Sequence, residues 1–303
     1  MLEDTIKSFG SVPARLLNSH KGSYGKLLIL AGSPGMCGAA ALCARAAYRS
    51  GTGLVRIVTS EENRIPLQLL IPEAVLSLYR EQDELEALLE QEFRWADLCV
   101  MGPGLSQSEE ARALVEEALR QIRIPLIMDA DALNIVSEDP QARKYLYRTA
   151  PSSPVLLTPH PGELARLTGR ELEEILRDPM RVGRVFARRH DLLLIVKGSH
   201  SLLFSRGAER YFQNRTASPA LSKAGSGDVL CGCIAGIFEI LRAEKGSGES
   251  SAALLYRAAA LGISAHVTAG RLAAERFGQH GVLAGDTADM LGLALEAVNA
   301  PPR

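Results

Sequence analysis

KLLILAGSPGMCGAAALCARAAYRSGTGLVRIVT, Lys26 to Thr59, is the stretch that decides the fold class. An apolar run, Lys26 to Ala31, leads into a glycine-rich loop; a segment of helical period, Ala39 to Ser50, follows, and a second apolar run fills Leu54 to Thr59. Strand, crossover helix and strand in that order predict two parallel neighbours, because parallel strands need a connection of a dozen or more residues. The pattern continues outward, with apolar runs at Leu98 to Met101, Pro125 to Asp129, Val155 to Leu157, Leu192 to Val196 and Ser201 to Phe204. Helical period recurs at Glu109 to Arg120, Pro161 to Thr168, Met180 to His190, Asp228 to Arg242 and Ser251 to Arg276. Strands this apolar are covered on both faces, so the expected fold class is α/β, a three-layer αβα sandwich with a mostly parallel central sheet. Gly262 and Gly270 in the alanine-rich last helix predict close packing there. Residues 243–251 read as an exposed loop and not as a linker, which leaves residues 1–303 as one domain.

Charge excludes some partners. The 34 Lys and Arg balance 35 Asp and Glu, so no global basic field draws the chain to nucleic acid, and an anionic ligand must be held by a local site. The 47% hydrophobic content is ordinary for a globular chain, and the sequence reads as having no stretch of membrane-spanning length and apolarity, hence no membrane partner. Met1-Leu2-Glu3-Asp4 has neither the basic nor the apolar region of a secretory leader, which predicts a cytoplasmic location. Cys37, Cys43, Cys99, Cys231 and Cys233 contain no C-x-x-C pair and are expected to be reduced core thiols.

Most strand candidates end in loops rich in Gly, Pro, Asp or His, where open α/β sheets bind ligands. In AGSGDVL, Ala224 to Leu230, Gly225 and Gly227 flank Ser226 directly before a helix. Glycines let successive N–H groups converge and the helix terminus adds positive potential, which suits a phosphate. Asp228 is then placed to take a proton from a hydroxyl that attacks phosphorus; as a carboxylate at a helix N-terminus it is expected to stay ionised at neutral pH. The alternative reading is a helix cap after a flexible turn. In LTPHPGE, Leu157 to Glu163, Pro159 and Pro161 restrict the backbone around His160 and so aim its imidazole at a ligand; Glu163 reads as an acidic group of the site or as a dipole-compensating residue in a first turn. In VKGSHS, Val196 to Ser201, Lys197 and the backbone that follows could meet nucleotide phosphates. Asp129 and Asp131 in MDADALN could organise Mg²⁺ or ligand hydroxyls, or Asp131 could cap the next helix. The glycines of AGSPGMCGAA, Gly32, Gly35 and Gly38, are spaced G-x-x-G-x-x-G, unlike the G-x-G-x-x-G of dinucleotide-binding dehydrogenases, which weakens a dehydrogenase reading.

HKGSYGKLLILAGS, GAAALCARAAYRSGTGLV, MGPGLS, MDADALN, LTPHPGE, VKGSHS and AGSGDVLCG, in this order between His20 and Gly270, resemble the NAD(P)H-hydrate dehydratase family within the ribokinase-like superfamily. The resemblance implies a ribokinase-like fold and an ADP- or ATP-dependent dehydration of the S epimer of hydrated NADH or NADPH: the ring hydroxyl is phosphorylated and phosphate is eliminated. It implies that Ala39, Gly104, His160 and Asp228 contact the hydrated dinucleotide, that Lys197, Gly198, Ser199, His200, Ser201, Gly225, Ser226 and Gly227 form the adenine-nucleotide site, and that Asp228 is the catalytic base. Glu163 is similar in position to an acidic residue that organises Mg²⁺ through water. The family usually shows T-G-N-P-G where this chain has Thr216-Ala217-Ser218-Pro219-Ala220. The resemblance further implies a homo-oligomer, often a tetramer, and, as the matching motifs begin near the N-terminus, a separate epimerase to supply the S epimer. Alternative readings are a small-molecule kinase of the same fold, which would leave phosphate on its acceptor, and a nucleotide sensor that binds without turnover.

Overall fold

The computed structural model describes residues 2–244 and 248–299. Its strands are β1 (Leu2–Asp4), β2 (Lys26–Leu30), β3 (Leu54–Ser60), β4 (Val75–Tyr79), β5 (Leu98–Met101), β6 (Leu126–Met128), β7 (Val155–Leu157), β8 (Leu193–Val196), β9 (Leu202–Phe204) and β10 (Arg210–Gln213). They form one sheet in the order β1-β10-β9-β8-β7-β6-β5-β2-β3-β4. From β4 through to β8 every pairing is parallel, and β9 runs antiparallel to both of its neighbours. The expected mostly parallel α/β sheet is what the chain builds.

The helices are α1 (Cys37–Arg49), α2 (Arg64–Leu70), α3 (Leu85–Trp95), α4 (Glu109–Gln121), α5 (Ala130–Glu138), α6 (Pro140–Thr149), α7 (Pro161–Thr168), α8 (Leu172–Arg177), α9 (Pro179–His190), α10 (Ser226–Ala243), α11 (Ser251–Phe277) and α12 (Ala284–Asn299). Two cores explain why the strands read as unbroken apolar runs. Leu27, Ile29, Leu98 and Val100 enter the core that holds α1, α10, α11 and α12; Leu28, Leu30, Cys99 and Met101 enter the other, which includes residues of α3 to α9. Alternate side chains thus meet helices on opposite faces, and neither face is left to water.

Gly262 and Gly270 act as the alanine-rich pattern predicts: a β-carbon at either would stand 2.6 Å from Ile234 or Leu221. One reading of the sequence needs correction. The α11 helix is long and apolar enough to cross a membrane, but most of it is buried within the fold, so its apolarity serves packing against α10 and α12. Of the loop expected at 243–251, residues 245–247 lie outside the described residues. The five cysteines are free thiols, and all but Cys37 are buried.

The chain leaves β2 for β3 on one side, yet pairs β2 with β5 on the other. A reversal of this kind opens a crevice at the carboxyl ends of the two strands. The loops after β2 and β5 meet there, the Gly32 amide donating to the Pro103 carbonyl at 2.9 Å.

Candidate functional site

Ala39 and Gly104 come together at that crevice. A β-carbon on Gly104, whose φ is +60°, would lie 2.8 Å from the β-carbon of Ala39 and 2.7 Å from the Met36 carbonyl oxygen. The αL turn after β5 and the first turn of α1 therefore share a space that admits only glycine at position 104.

Two strands further along, Pro159 and Pro161 bracket His160 at the start of α7, and a reciprocal capping box fixes the ring. The Gly162 amide donates to Nδ1 at 3.0 Å, while the His160 amide donates to Glu163 Oε2 at 2.8 Å. With Nδ1 accepting, the proton of the neutral ring sits on Nε2, 3.3 Å from Glu163 Oε1. Burial, with Lys197 and Arg166 assisting, lowers the His160 pKa, so the imidazole is neutral and half-exposed. Glu163 is 5% exposed, and burial raises its pKa against the pull of Lys197. Its carboxylate thus does more than compensate a helix dipole: it orients His160 and faces the Lys197 ammonium at 3.9 Å.

Lys197 follows β8 and is anchored by its amide to the Pro159 carbonyl. Its Nζ donates to Asp129 Oδ1 at 2.5 Å. Burial opposes the charge, but Asp129 and then Glu163 more than offset it and hold the lysine above its ordinary pKa. Gly198, Ser199 and His200 are exposed in the turn that follows, and Ser201 closes it with a hydroxyl 3.1 Å from the Gly198 carbonyl.

The glycine turn behaves as its sequence suggests. Gly225, at φ +87°, precedes α10 and contacts no helix cap of its own; a β-carbon there would strike Leu42. Among the described residues the Gly227 and Asp228 amides find no acceptor, which leaves two donors free at the positive end of an 18-residue helix. Asp228 is partly buried. Burial, then the charge of Asp129, push its carboxyl up to about 7 in spite of Lys197. This overturns the expectation of a carboxylate ionised throughout the neutral range, because desolvation outweighs the helix dipole.

Beside the turn opens a cavity of about 630 Å³. Lys197, Gly198, Ser199, Ser201, Ser226 and Gly227 line it, as does His160; His200 and Gly225 lie outside its wall. The loop 216–222, including the short 3-10 turn Pro219–Leu221, forms one side. Three residues of α11 escaped sequence reading. His266 of α11 reaches Ser226 Oγ with Nε2 at 3.3 Å, and burial pushes its pKa down to about 4. Ile263 and Val267 share its wall, a helical spacing of three and four that could have exposed the stripe. Asp131 accepts from the Ser106 amide at 2.8 Å and so braces the loop after β5.

A partly buried cation, free helix-terminal amides and an adjacent carboxyl near neutrality can hold a phosphoryl group and remove a proton beside it. Residues 27–292 match the family model described as NAD(P)H-hydrate dehydratase. The chain belongs to the NAD(P)H-hydrate dehydratase family. It is 36% identical over 293 residues to a bifunctional NAD(P)H-hydrate repair enzyme of Moorella thermoacetica, covering 94% of this chain and 52% of that protein. It is 36% identical over 228 residues to the ADP-dependent (S)-NAD(P)H-hydrate dehydratase of Bacillus subtilis, 75% of this chain and 77% of that one. The crystal structure of the ADP/ATP-dependent dehydratase of B. subtilis, co-crystallised with ATP and Mg²⁺, superposes with a TM-score of 0.75 at 28% identity over 95% of each chain. The chain spans about half the length of the bifunctional relatives it matches. The crystal structure of a ribokinase-like superfamily protein of Enterococcus faecalis superposes with a TM-score of 0.75 at 22% identity, over 99% of this chain and 97% of that one, so the fold is the ribokinase-like one that the motifs implied.

Proposed function

We propose that this family member dehydrates the S epimer of hydrated NADH or NADPH at the expense of ADP or ATP. The reading rests on one observation, the pair of free amides of Gly227 and Asp228 opening beside the cavity that Lys197 and His160 also line. Asp228 takes the proton of the ring hydroxyl while its oxygen attacks the terminal phosphorus of the nucleotide held by Lys197, Gly198, Ser199, His200, Ser201, Gly225, Ser226 and Gly227. Phosphate then leaves as the ring nitrogen's electron pair forms an iminium, and loss of a proton from the adjacent ring carbon to water restores the dihydropyridine; phosphorylation has turned hydroxide into a good leaving group. Ala39, Gly104 and the Nε2–H of His160 hold the dinucleotide.

Among the described residues no three His, Cys, Asp or Glu side chains cluster as a metal cage. The buried Glu163 carboxylate beside Lys197 is the group that would touch, through water, a Mg²⁺ arriving on nucleotide phosphates. When bound it neutralises charge on the transferring phosphoryl group. We further propose residues 1–303 as one domain, in line with the single sheet, a cytoplasmic setting, a tetramer, and a separate epimerase as functional partner.

Incubation with hydrated NADH, Mg²⁺ and ADP or ATP should return the absorbance of the reduced ring with one phosphate released per ring restored. Phosphate retained on an acceptor would instead assign a small-molecule kinase, and nucleotide binding without turnover a sensor.

A further inference from the structure

Asp129 stands at the carboxyl end of β6, 1% exposed, in the capping position of α5, yet its side chain makes no capping hydrogen bond. It turns inward instead. One oxygen accepts from Lys197 Nζ at 2.5 Å and the other from the Cys231 thiol at 3.4 Å. The backbone is bent to allow this: Ala130 has φ +49°, a left-handed conformation that side chains other than glycine seldom adopt, and Gly102 lies so close that a β-carbon there would be 1.8 Å from the Asp129 carbonyl oxygen. The pair abuts the glycine turn. A β-carbon at Gly227 would stand 3.2 Å from Asp129 Oδ2 and 3.3 Å from Lys197 Nζ.

We infer that Asp129 is the positioning residue for Lys197, its buried carboxylate pinning the ammonium against the Gly227 turn so that the remaining N–H bonds face the nucleotide cavity. An ammonium has three donors; one is taken by Asp129, and the others are left between Glu163, 3.9 Å away, and the cavity wall that Gly227 also lines. A lysine on a flexible four-carbon stem would otherwise sample many rotamers, and the desolvated charge would be lost or swing to solvent. Asp129 does not line the cavity and reaches it only through Lys197, so it is not itself a catalytic residue. The inference rests on the phosphoryl-transfer reading of the cavity, but its decisive measurement is binding.

The test is a double-mutant cycle on the whole chain with Asp129→Asn, Lys197→Met and the pair combined, reading ATP affinity by calorimetry and kcat and KM with hydrated NADH. Asp129→Asn should weaken ATP at least tenfold and lower kcat while KM for the dinucleotide stays within threefold. In the Lys197→Met background the same change should alter ATP affinity less than twofold. An equal tenfold loss in both backgrounds, or wild-type ATP affinity in Asp129→Asn, overturns the inference. If Asp129→Asn alone does not fold, the double variant, which removes both charges, is compared with Lys197→Met: affinity within twofold supports the coupling, and a tenfold loss overturns it. Absence of turnover in the wild type would sink the proposed reaction, whereas the ATP cycle would still decide the role of Asp129.

Discussion

The backbone at Gly104 lies so near Ala39 that the two first-turn atoms leave no room for a second methyl group, a β-carbon at 104 falling 2.8 Å from that of Ala39. Gly104→Ala must therefore push the loop after β5 away from α1 while also holding alanine at φ +60°. A loss of about 2 kcal/mol in stability is expected from the left-handed backbone and the clash together. Thermal unfolding reads it. If the crevice holds the dinucleotide, its affinity should drop more than that of ATP.

Asp228→Asn keeps shape and removes the base. Turnover should fall by about 10² to 10⁴, the usual worth of a general base, with ATP affinity within a few-fold of wild type. Undiminished turnover would remove Asp228 from the chemistry.

The raised Asp228 carboxyl sets a pH dependence. Because it moves from 3.8 to about 7, the basic form accumulates as pH rises through about 7, and kcat should climb over that interval. Stability should run the other way. The fold favours the protonated acid, so this contribution is complete below about pH 4 and is lost as pH rises through about 7; in Asp228→Asn the decline should be smaller. Parallel pH profiles of kcat and melting temperature for both proteins check the two signs.

His160→Ala should weaken the hydrated dinucleotide more than ATP, since the ring presents its Nε2–H beside Glu163 and the capping box leaves the ring little freedom. His160 also borders the nucleotide cavity, so some loss of ATP affinity is expected. Equal losses in the two dissociation constants would reject the proposed division of the sites.

Glu239 supplies a prediction remote from the chemistry. It is fully buried on α10, its Oε1 has no hydrogen-bond partner, and burial pushes its carboxyl to about 7 despite Arg242. Glu239→Gln should raise the melting temperature by about 2 °C or more at pH 8 and by less at pH 5, with kcat unchanged. A lower melting temperature at pH 8 would show that the ion pair with Arg242 outweighs the burial of charge.

Local physics made much of this protein readable in advance. Unbroken apolar runs placed β2, β3 and β5, because both faces of those strands are covered, and period 3.6 placed α1; Pro161 and Gly225 marked two helix starts because backbone geometry is a property of the residue. Short or exposed elements escaped. The edge strand β4 has Val75 half-exposed and carries little alternation, and β1 pairs with β10 across some two hundred residues of chain that no local window spans. The sequence by itself determined the α/β class, the family and the glycine turn before α10, since these follow from residue type and spacing. Only the tertiary structure decided that Asp129 holds Lys197, that His266 joins the cavity wall, and that Asp228 titrates near neutrality, because desolvation and Coulomb energy depend on what the fold brings close, not on what is adjacent in the chain.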